Sequence, residues 1–275
     1  MTSIIVVFDF DSTIIECDSD NWVLDEFGLT EKFYKLLPTM LWNPLMDKMM
    51  SELHSQGKTI EDIVQVLHRT PIHPCIVPAI EAAYSLGCEL KIVSDANIFF
   101  IETILKHHGV WNCFSEITAN HSYVTEEGRL KICPYHDYLN SSHGCNLCPP
   151  NMCKGLIIER IQNLLDGAGK KKFIYLGDGS GDFCPSLKLK DNDYLMPRIN
   201  FALCDLVSKN SNGIKPEVHA WGNGEELKNI LLHIINKTIG EENNIIRPKI
   251  SVDCMLEQIS LDAHKNFPKV LSVPH

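Results

Sequence analysis

The sequence of 275 residues contains no apolar run of about 18 residues, the length that a membrane-spanning helix requires. Its first residues lack the basic segment of a secretion signal, and the apolar run at Ile4–Phe8 is too short to form the core of one. Internal repeats and low-complexity tracts are also missing. From these absences we expect a soluble, cytoplasmic protein that does not insert into a membrane.

Positive charge is scarce, because 25 Lys and Arg stand against 35 Asp and Glu, for a formal net charge of −10. Proteins that bind nucleic acids or anionic membranes need a basic face, so we expect neither as a partner. An anionic substrate stays compatible with this charge, since one metal ion and one lysine can reverse the local field. Eleven cysteines are an odd number, and a chain of this length can fold without disulfides, so reduced thiols are expected.

Three short apolar runs, at residues 4–8, 90–93 and 173–176, are each followed by small or acidic residues. Continuous apolar runs are typical of strands buried on both faces of a parallel sheet. A fourth such run covers residues 194–196. The pattern predicts an α/β fold with a Rossmann-like parallel sheet core and a functional site at the carboxyl ends of its strands.

About 75 residues separate the first two predicted strands, which is more than an ordinary crossover contains. Their apolar spacing is mainly helical, so we predict an α-helical cap inserted between these strands. The last residues have scattered polarity and three prolines, which favours an irregular tail. The predicted division is a core at 1–14 and 88–240, a cap at 15–87 and a tail at 241–275. Further predicted elements are helices over 98–108, 154–165 and 225–235 and a β-hairpin over 114–117 and 123–132.

Two carboxylates, Asp9 and Asp11, follow the first predicted strand and can face one cleft. Unpaired carboxylates in a buried cleft are costly, because burial and mutual repulsion disfavour their charged forms. Mg²⁺ accepts such oxygens, and Asp178 at the end of the third strand supplies another. The alternative interpretation of each aspartate is a cap of the helix that follows.

These residues occur in an order that resembles the four motifs of the haloacid dehalogenase superfamily of phosphotransferases. The resemblance covers residues 4–182 and implies that superfamily's fold, with the cap described above. The matching positions are Asp9-x-Asp11-x-Thr13, Ser94, Lys154 and the stretch Gly177-Asp178-Gly179-Ser180-Gly181-Asp182.

The resemblance implies a catalytic role for each of these positions. Asp9 would be the nucleophile that forms an aspartyl-phosphate, and Asp11 would act as the general acid and base. Ser94 and Lys154 would bind the transferred phosphoryl group, and Asp182 would orient Lys154 or a metal-bound water. The implied Mg²⁺ ligands are Asp9, the backbone carbonyl of Asp11, and Asp178.

Three strings resemble the phosphoethanolamine/phosphocholine phosphatase branch of the superfamily, which includes plant members, over residues 4–235. They are Asp18-Ser19-Asp20-Asn21, Ser94-Asp95-Ala96-Asn97 and Cys148-Pro149-Pro150-Asn151-Met152-Cys153-Lys154. In that branch, acids at the positions of Asp20 and Asp95 receive a cationic head group, and Ser94 also belongs to the substrate site. We therefore predict hydrolysis of a small phosphorylated metabolite, phosphoethanolamine or phosphocholine.

Several alternatives remain open at this point. Plant members of the branch also act on thiamine monophosphate or pyrophosphate. Asp20 is alternatively the N-cap of the next helix, and Trp22 and Trp42 either enclose a quaternary ammonium or belong to the core. The chain is alternatively an inactive protein that binds a phosphorylated ligand, or a phosphotransferase to an acceptor other than water. The motifs leave its oligomeric state open.

A loop rich in cysteine precedes Lys154, with the spacing His143-x-Cys145-x2-Cys148-x4-Cys153. Three thiolates and one imidazole are ligands that tetrahedral Zn²⁺ accepts, so these four residues predict a structural zinc site. The alternative is a set of reduced, partly buried thiols.

Overall fold

The structure is a computed structural model that describes residues 3–164 and 171–246, with side chains up to residue 241. Its strands are β1 (Ile4–Phe8), β2 (Glu89–Asn97), β3 (Phe114–Val124), β4 (Leu130–Cys133), β5 (Lys172–Gly177), β6 (Tyr194–Pro197) and β7 (Glu217–Val218). They form one sheet in the order β4-β3-β2-β1-β5-β6-β7, and among these described strands only the β3–β4 pair is antiparallel. The prediction of an α/β fold with a Rossmann-like parallel core is confirmed.

The described residues form ten α-helices. They are α1 (Ser19–Glu26), α2 (Thr30–Leu36), α3 (Trp42–Ser55), α4 (Ile60–Leu67), α5 (Ile76–Ser85), α6 (Ile98–His107), α7 (Lys154–Leu164), α8 (Phe183–Ser186), α9 (Ala202–Lys209) and α10 (Gly224–Ile246). Not one of these helices is both long and apolar enough to cross a membrane.

Strand β1 lies at the centre of the sheet, between β2 and β5, and all five of its residues are buried. Alternate side chains enter two separate cores, one on each face of the sheet. Ile4, Val6 and Phe8 join the larger core, whereas Ile5 and Val7 join the smaller one. This arrangement explains why the run is continuously apolar instead of alternating.

Helices α1 to α5 all lie between β1 and β2 in the chain. Helix α3 packs against β4, where the Asp47 carboxylate accepts hydrogen bonds from Arg129 (3.0 Å) and Lys131 (2.6 Å). Helix α5 instead packs against α10 and β2. The assignment of residues 15–87 to a cap domain stays a prediction, and these contacts place α5 with the layers of the sheet.

Two regions differ in extent from the sequence-based expectation. The predicted hairpin forms, but β3 runs without a break because Thr118 and Asn120 pair with β2. Residues 241–246 belong to helix α10 and not, as expected, to the irregular tail. The helix can continue through them because the first proline after its start is Pro248. The rest of the predicted tail lies outside the described residues.

Candidate active site

The three central strands bring the sequence motifs to one edge of the sheet. Asp9 directly follows β1, Ser94 and Asp95 lie in the last part of β2, and Asp178 directly follows β5. Because these strands are parallel neighbours, their carboxyl ends lie side by side. The order of strands therefore explains why residues far apart in the sequence meet here.

Lys154, the first residue of α7, lies at the centre of this group and is buried. Its Nζ is 2.8 Å from Oδ2 of Asp9, 2.9 Å from Oδ1 of Asp182 and 3.9 Å from Oδ1 of Asp95. Burial alone lowers the pKa of Lys154, but the charges of these three aspartates outweigh it and raise the pKa well above its usual value. These charges thus favour the protonated, positively charged form of the side chain, which contacts the predicted nucleophile.

Asp182 is fully buried, and its carboxylate accepts four hydrogen bonds. Its Oδ1 accepts from Lys154 Nζ at 2.9 Å and from the Tyr175 hydroxyl at 2.7 Å. Its Oδ2 accepts from the backbone N–H groups of Asp178 at 3.1 Å and Gly179 at 3.0 Å. Because all four donors are protein groups, Asp182 fixes the position of Lys154 relative to the loop after β5.

A divalent cation fits the carboxylates beside this lysine. Asp9, Asp178 and Asp182 each place one oxygen within 4.8 Å of the others. Burial, followed by the charge of Asp182, raises the pKa of Asp9 well above its usual value and that of Asp178 to about 7. Lys154 alone does not compensate these three acids, of which Asp9 and Asp182 are buried, and hard oxygen ligands of this kind suit Mg²⁺. Each oxygen of Asp182 already accepts two hydrogen bonds, whereas each oxygen of Asp9 has one such contact, so Asp9 and Asp178 retain lone pairs for the ion.

The side chain of Asp11 is directed at the start of α1. Its Oδ1 accepts a hydrogen bond of 3.0 Å from the backbone N–H of Ser19, at the start of α1. Burial, followed by the charges of Asp18, Asp20 and Asp9, raises the pKa of Asp11 well above its usual value. The side-chain carboxylates that lie close together are those of Asp9, Asp178 and Asp182, and the expected ligation by Asp11 through its backbone carbonyl stays a prediction.

Asp20 is buried, and both of its oxygens accept hydrogen bonds. Trp42 Nε1 donates to Oδ2 at 2.7 Å, and Asn97 Nδ2 donates to Oδ1 at 3.3 Å. Burial, followed by the charge of Asp18, raises the pKa of Asp20 to about 7. The N-cap of α1 is Asp18, whose side chain accepts from the N–H of Asn21, so the alternative interpretation of Asp20 as this cap is wrong.

The two predicted head-group acids differ in their access to solvent. The side chain of Asp95 is 47% exposed, whereas Asp20 is 6% exposed. Ser94, beside Asp95, is fully buried, and its Oγ accepts from the N–H of Ala96 at 3.2 Å. Asp95 is therefore accessible from solvent, whereas Asp20 is covered by the protein.

The two tryptophans near this region pack into the helical layer. Trp22 Nε1 donates to the Val66 carbonyl at 3.1 Å, and the Trp42 ring lies edge-to-face with Phe33 at 5.1 Å. Both indoles contact the larger core. These contacts favour the core interpretation over an aromatic cage, with the Trp42 N–H orienting Asp20.

Arg198, which directly follows β6, was not singled out from the sequence. Its guanidinium donates to the backbone carbonyl of Ser12 at 2.6 Å, forms an ion pair with Glu16, and lies over the rings of Phe201 and Trp221. Ser12 has a φ of 52°, in the left-handed region that non-glycine residues rarely adopt. Arg198 therefore anchors the loop that carries the first motif. In the sequence, the signal that could have pointed to Arg198 was its position shortly after the predicted strand at residues 194–196.

The predicted zinc ligands are only partly brought together. The sulfur atoms of Cys145, Cys148 and Cys153 lie within 4.8 Å of one another, and the fourth member of this group is Cys184. His143 is wrong as the fourth member, because its Nε2 is hydrogen bonded to the Pro149 carbonyl at 2.9 Å and its Nδ1 accepts from the N–H of Cys145.

Cys184 lies on α8, distant in sequence from the other three cysteines, so no local spacing motif could reveal it. Hydrogen bonds from the thiol of Cys148, and also from those of Cys145 and Cys153, outweigh burial and lower the pKa of Cys184 to about 5.

Comparisons with known proteins agree with this geometry. A family model described as "Putative Phosphatase" matches residues 4–235. The chain is 57% identical to inorganic pyrophosphatase 2 of Arabidopsis thaliana, over 94% of this chain and 96% of that protein. It is 49% identical to a thiamine phosphate phosphatase-like protein of the same plant, over 89% and 100%. A solved phospho-aspartyl intermediate analogue of phosphoserine phosphatase shares the fold, with a TM-score of 0.53, 18% identity, and coverage of 83% and 97%.

Proposed function

Since the chain belongs to this phosphatase family, within the haloacid dehalogenase superfamily, we propose that it is a Mg²⁺-dependent enzyme with Asp9 as nucleophile. Its substrate would be a small phosphorylated metabolite, from which the phosphoryl group passes to Asp9 and then to water. The observation that carries this proposal is the contact of Lys154 with both Asp9 and Asp182, beside Asp178. The contact combines a nucleophile with a cation for the phosphoryl oxygens and a place for the metal.

The proposed reaction has two steps at Asp9. In the first, an Asp9 carboxylate oxygen forms a bond to phosphorus, the bond from phosphorus to the leaving oxygen breaks, and Asp11 gives that oxygen a proton. In the second, the oxygen of a water forms a bond to the phosphorus of the aspartyl-phosphate while the water passes a proton to Asp11. The bond from phosphorus to the Asp9 oxygen breaks, so that phosphate is released and the Asp9 carboxylate is restored.

Several contacts prepare Asp9 for this role. The backbone N–H of Phe10 donates to Oδ1 of Asp9 at 2.7 Å, and Lys154 contacts Oδ2, so the carboxylate is held in one orientation. Ser94 stands at the neighbouring strand end, where its hydroxyl can donate to the phosphoryl group. Mg²⁺, when held by Asp9 and Asp178, supplies charge neutralisation for the phosphoryl oxygens.

The acids around the site favour a leaving group that carries positive charge. Asp18, Asp20 and Asp95 act on one another electrostatically, and Asp95 is the most open to solvent of the three. Such acids attract an ammonium or a cationic ring and repel an uncompensated anion. Phosphoethanolamine and phosphocholine satisfy this condition, and thiamine monophosphate satisfies it too.

A second candidate substrate is pyrophosphate, which is favoured by the 57% identity to a plant protein named inorganic pyrophosphatase. Its leaving group is a phosphate, which adds negative charge next to Asp95 unless a cation accompanies it. The negative charge of Asp95 therefore favours binding of a cationic ester and disfavours binding of pyrophosphate.

A comparison of kcat/KM for phosphoethanolamine, phosphocholine, thiamine monophosphate and pyrophosphate, with Mg²⁺, separates them. The variants are Asp95→Asn, Asp20→Asn and, as a control with the same loss of charge, Asp191→Asn before β6 at the opposite edge of the sheet. We expect the highest kcat/KM for a cationic ester. In Asp95→Asn, kcat/KM should fall about tenfold for the cationic esters and not for pyrophosphate. Preference for pyrophosphate, with kcat/KM rising in Asp95→Asn, establishes the second candidate instead. Absence of phosphate release from all four contradicts the choice of substrate class.

A further inference from the structure

Four thiols converge beside the catalytic lysine, in a group that the proposed phosphatase reaction does not use. Cys145 and Cys148 belong to the loop before α7, Cys153 is its last residue, and Cys184 lies on α8. Cys153 and Cys184 are buried, and the other two are partly buried. The Sγ atoms of Cys145 and Cys184 are 3.7 Å apart, those of Cys153 and Cys184 are 3.8 Å apart, and all four lie within 4.8 Å of one another.

These distances match those of a tetrahedral metal site. With a zinc–sulfur bond of about 2.3 Å, two sulfurs on a regular tetrahedron lie about 3.8 Å apart. A disulfide requires about 2.05 Å and joins only two sulfurs. We propose that Cys145, Cys148, Cys153 and Cys184 together bind one structural zinc ion.

The backbone around the thiols supports a bound ion. The N–H of Gly155 donates to the sulfur of Cys184, and the N–H of Leu156 donates to that of Cys153. Such donors stabilise metal thiolates from outside the ligand shell. A Cβ at Gly155 would lie 2.5 Å from the Cys184 sulfur, so glycine is required for this approach. The start of α7 is therefore shaped around the sulfur cluster.

Four protein ligands complete the tetrahedron, so the ion has no open position for a substrate and its role is structural. Cys153 directly precedes Lys154, and Cys184 follows Asp182 by two residues. The ion thus joins the two segments whose side chains form the 2.9 Å contact between Lys154 and Asp182. The four cysteines are positioning residues, and the presence of zinc does not depend on the proposed phosphatase reaction.

The first test measures the metal content of the whole chain. The reduced protein is purified without chelators, incubated with excess Zn²⁺ and desalted. Its metal content is then measured by inductively coupled plasma mass spectrometry. We expect one zinc per chain in the wild type, in His143→Ala and in Cys204→Ser, and a loss of at least about fivefold in Cys148→Ser. Cobalt in place of zinc should give intense thiolate-to-metal absorption bands, which identify sulfur ligands and distinguish this site from the carboxylates near Asp9.

The second test uses only the wild-type chain, so it does not depend on the folding of a variant. Removal of zinc by a strong chelator should lower the melting temperature by about 5 °C or more, and Zn²⁺ but not Mg²⁺ should restore it. Less than about a fifth of an equivalent of zinc after loading, stoichiometric iron instead of zinc, or equal zinc in Cys148→Ser would each overturn the proposal. So would loss of the metal in His143→Ala alone.

Discussion

The ammonium group of Lys154 lies 2.8 Å from the carboxylate of Asp9, although one residue begins α7 and the other directly follows β1. The contact is buried, and it is extended by the 2.9 Å contact of the same ammonium with Asp182. A single cation thus stands between the residue that we propose as nucleophile and the residue that holds the loop after β5. Loss of this cation should affect both catalysis and stability.

The first prediction concerns Lys154→Gln. This change leaves the buried carboxylates of Asp9 and Asp182 without their cation, so we expect the free energy of unfolding to fall by about 3 kcal/mol. We also expect kcat to fall by about 100-fold or more, since the phosphoryl group loses its positive partner. Chemical denaturation and steady-state kinetics provide the two values.

The matched control is Lys188→Gln, which removes a lysine whose partner is Glu159 on α7, at the surface. A solvent-exposed ion pair contributes little to stability, so this variant should resemble the wild type in both measurements. Equal losses in the two variants would show that the buried position of Lys154 has no special importance.

The second prediction concerns the close approach of Gly177 to Asp182. A Cβ at Gly177 would lie 2.5 Å from Cγ of Asp182, whereas one at Gly179 would lie 3.8 Å from its Oδ2. Gly177→Ala should therefore displace Asp182, lower the free energy of unfolding by about 2 kcal/mol and reduce kcat. Gly179→Ala should leave both close to the wild type. Equal unfolding free energies and equal kcat in the two variants would show that neither quantity depends on the present position of Asp182.

The sequence was sufficient to predict the elements that depend on local patterns. β1 and β5 were visible because both faces of these strands are buried, and the start of α7 at Lys154 was placed correctly. Arg198 and Cys184 were missed because their partners, Ser12 and the three loop cysteines, are brought near only by the order of the strands and the packing of α8. Tertiary proximity of this kind leaves no periodic signal in one sequence.

Asp20 provides a third prediction, through the pH dependence of stability. Its pKa is raised from the ordinary value near 3.8 to about 7 in the folded chain, because the carboxyl is buried. The folded state therefore binds this proton more tightly than the unfolded state, and the contribution of Asp20 to stability falls as pH rises from about 4 to 7. Asp20→Asn abolishes this dependence, so its stability relative to the wild type should increase by about 2 kcal/mol between pH 5 and 8.

The measurement is the difference in unfolding free energy between the wild type and Asp20→Asn at several pH values. Taking this difference cancels the titration of groups that the charge of Asp20 does not affect, and asparagine retains an oxygen for Trp42 or Asn97. A difference that stays constant between pH 5 and 8 would show that the proton on Asp20 is bound with its ordinary affinity.

A fourth prediction concerns Arg198, which holds the carbonyl of Ser12 in the first-motif loop. Arg198→Gln removes the ion pair with Glu16 and the stacking on Trp221, so we expect a loss of about 2 kcal/mol in stability. We also expect kcat to fall by about tenfold as Asp9 and Asp11 lose their fixed loop. Arg69→Gln, in which an exposed pair with Glu26 is lost, is the control and should change neither quantity. A wild-type kcat in Arg198→Gln would show that the contact of Arg198 with this loop does not contribute to catalysis.

The central claim is that Asp9 carries the phosphoryl group during turnover, and trapping that intermediate tests it most directly. The enzyme is mixed with the fastest of the four candidate substrates and Mg²⁺, quenched in acid, and mapped by mass spectrometry of its peptides. Our account predicts a phosphoryl group on Asp9 that hydroxylamine removes, its absence in Asp9→Asn, and loss of phosphate release in that variant while its fold is retained. Wild-type phosphate release by Asp9→Asn, or a phosphoryl group found on a different residue, would contradict it.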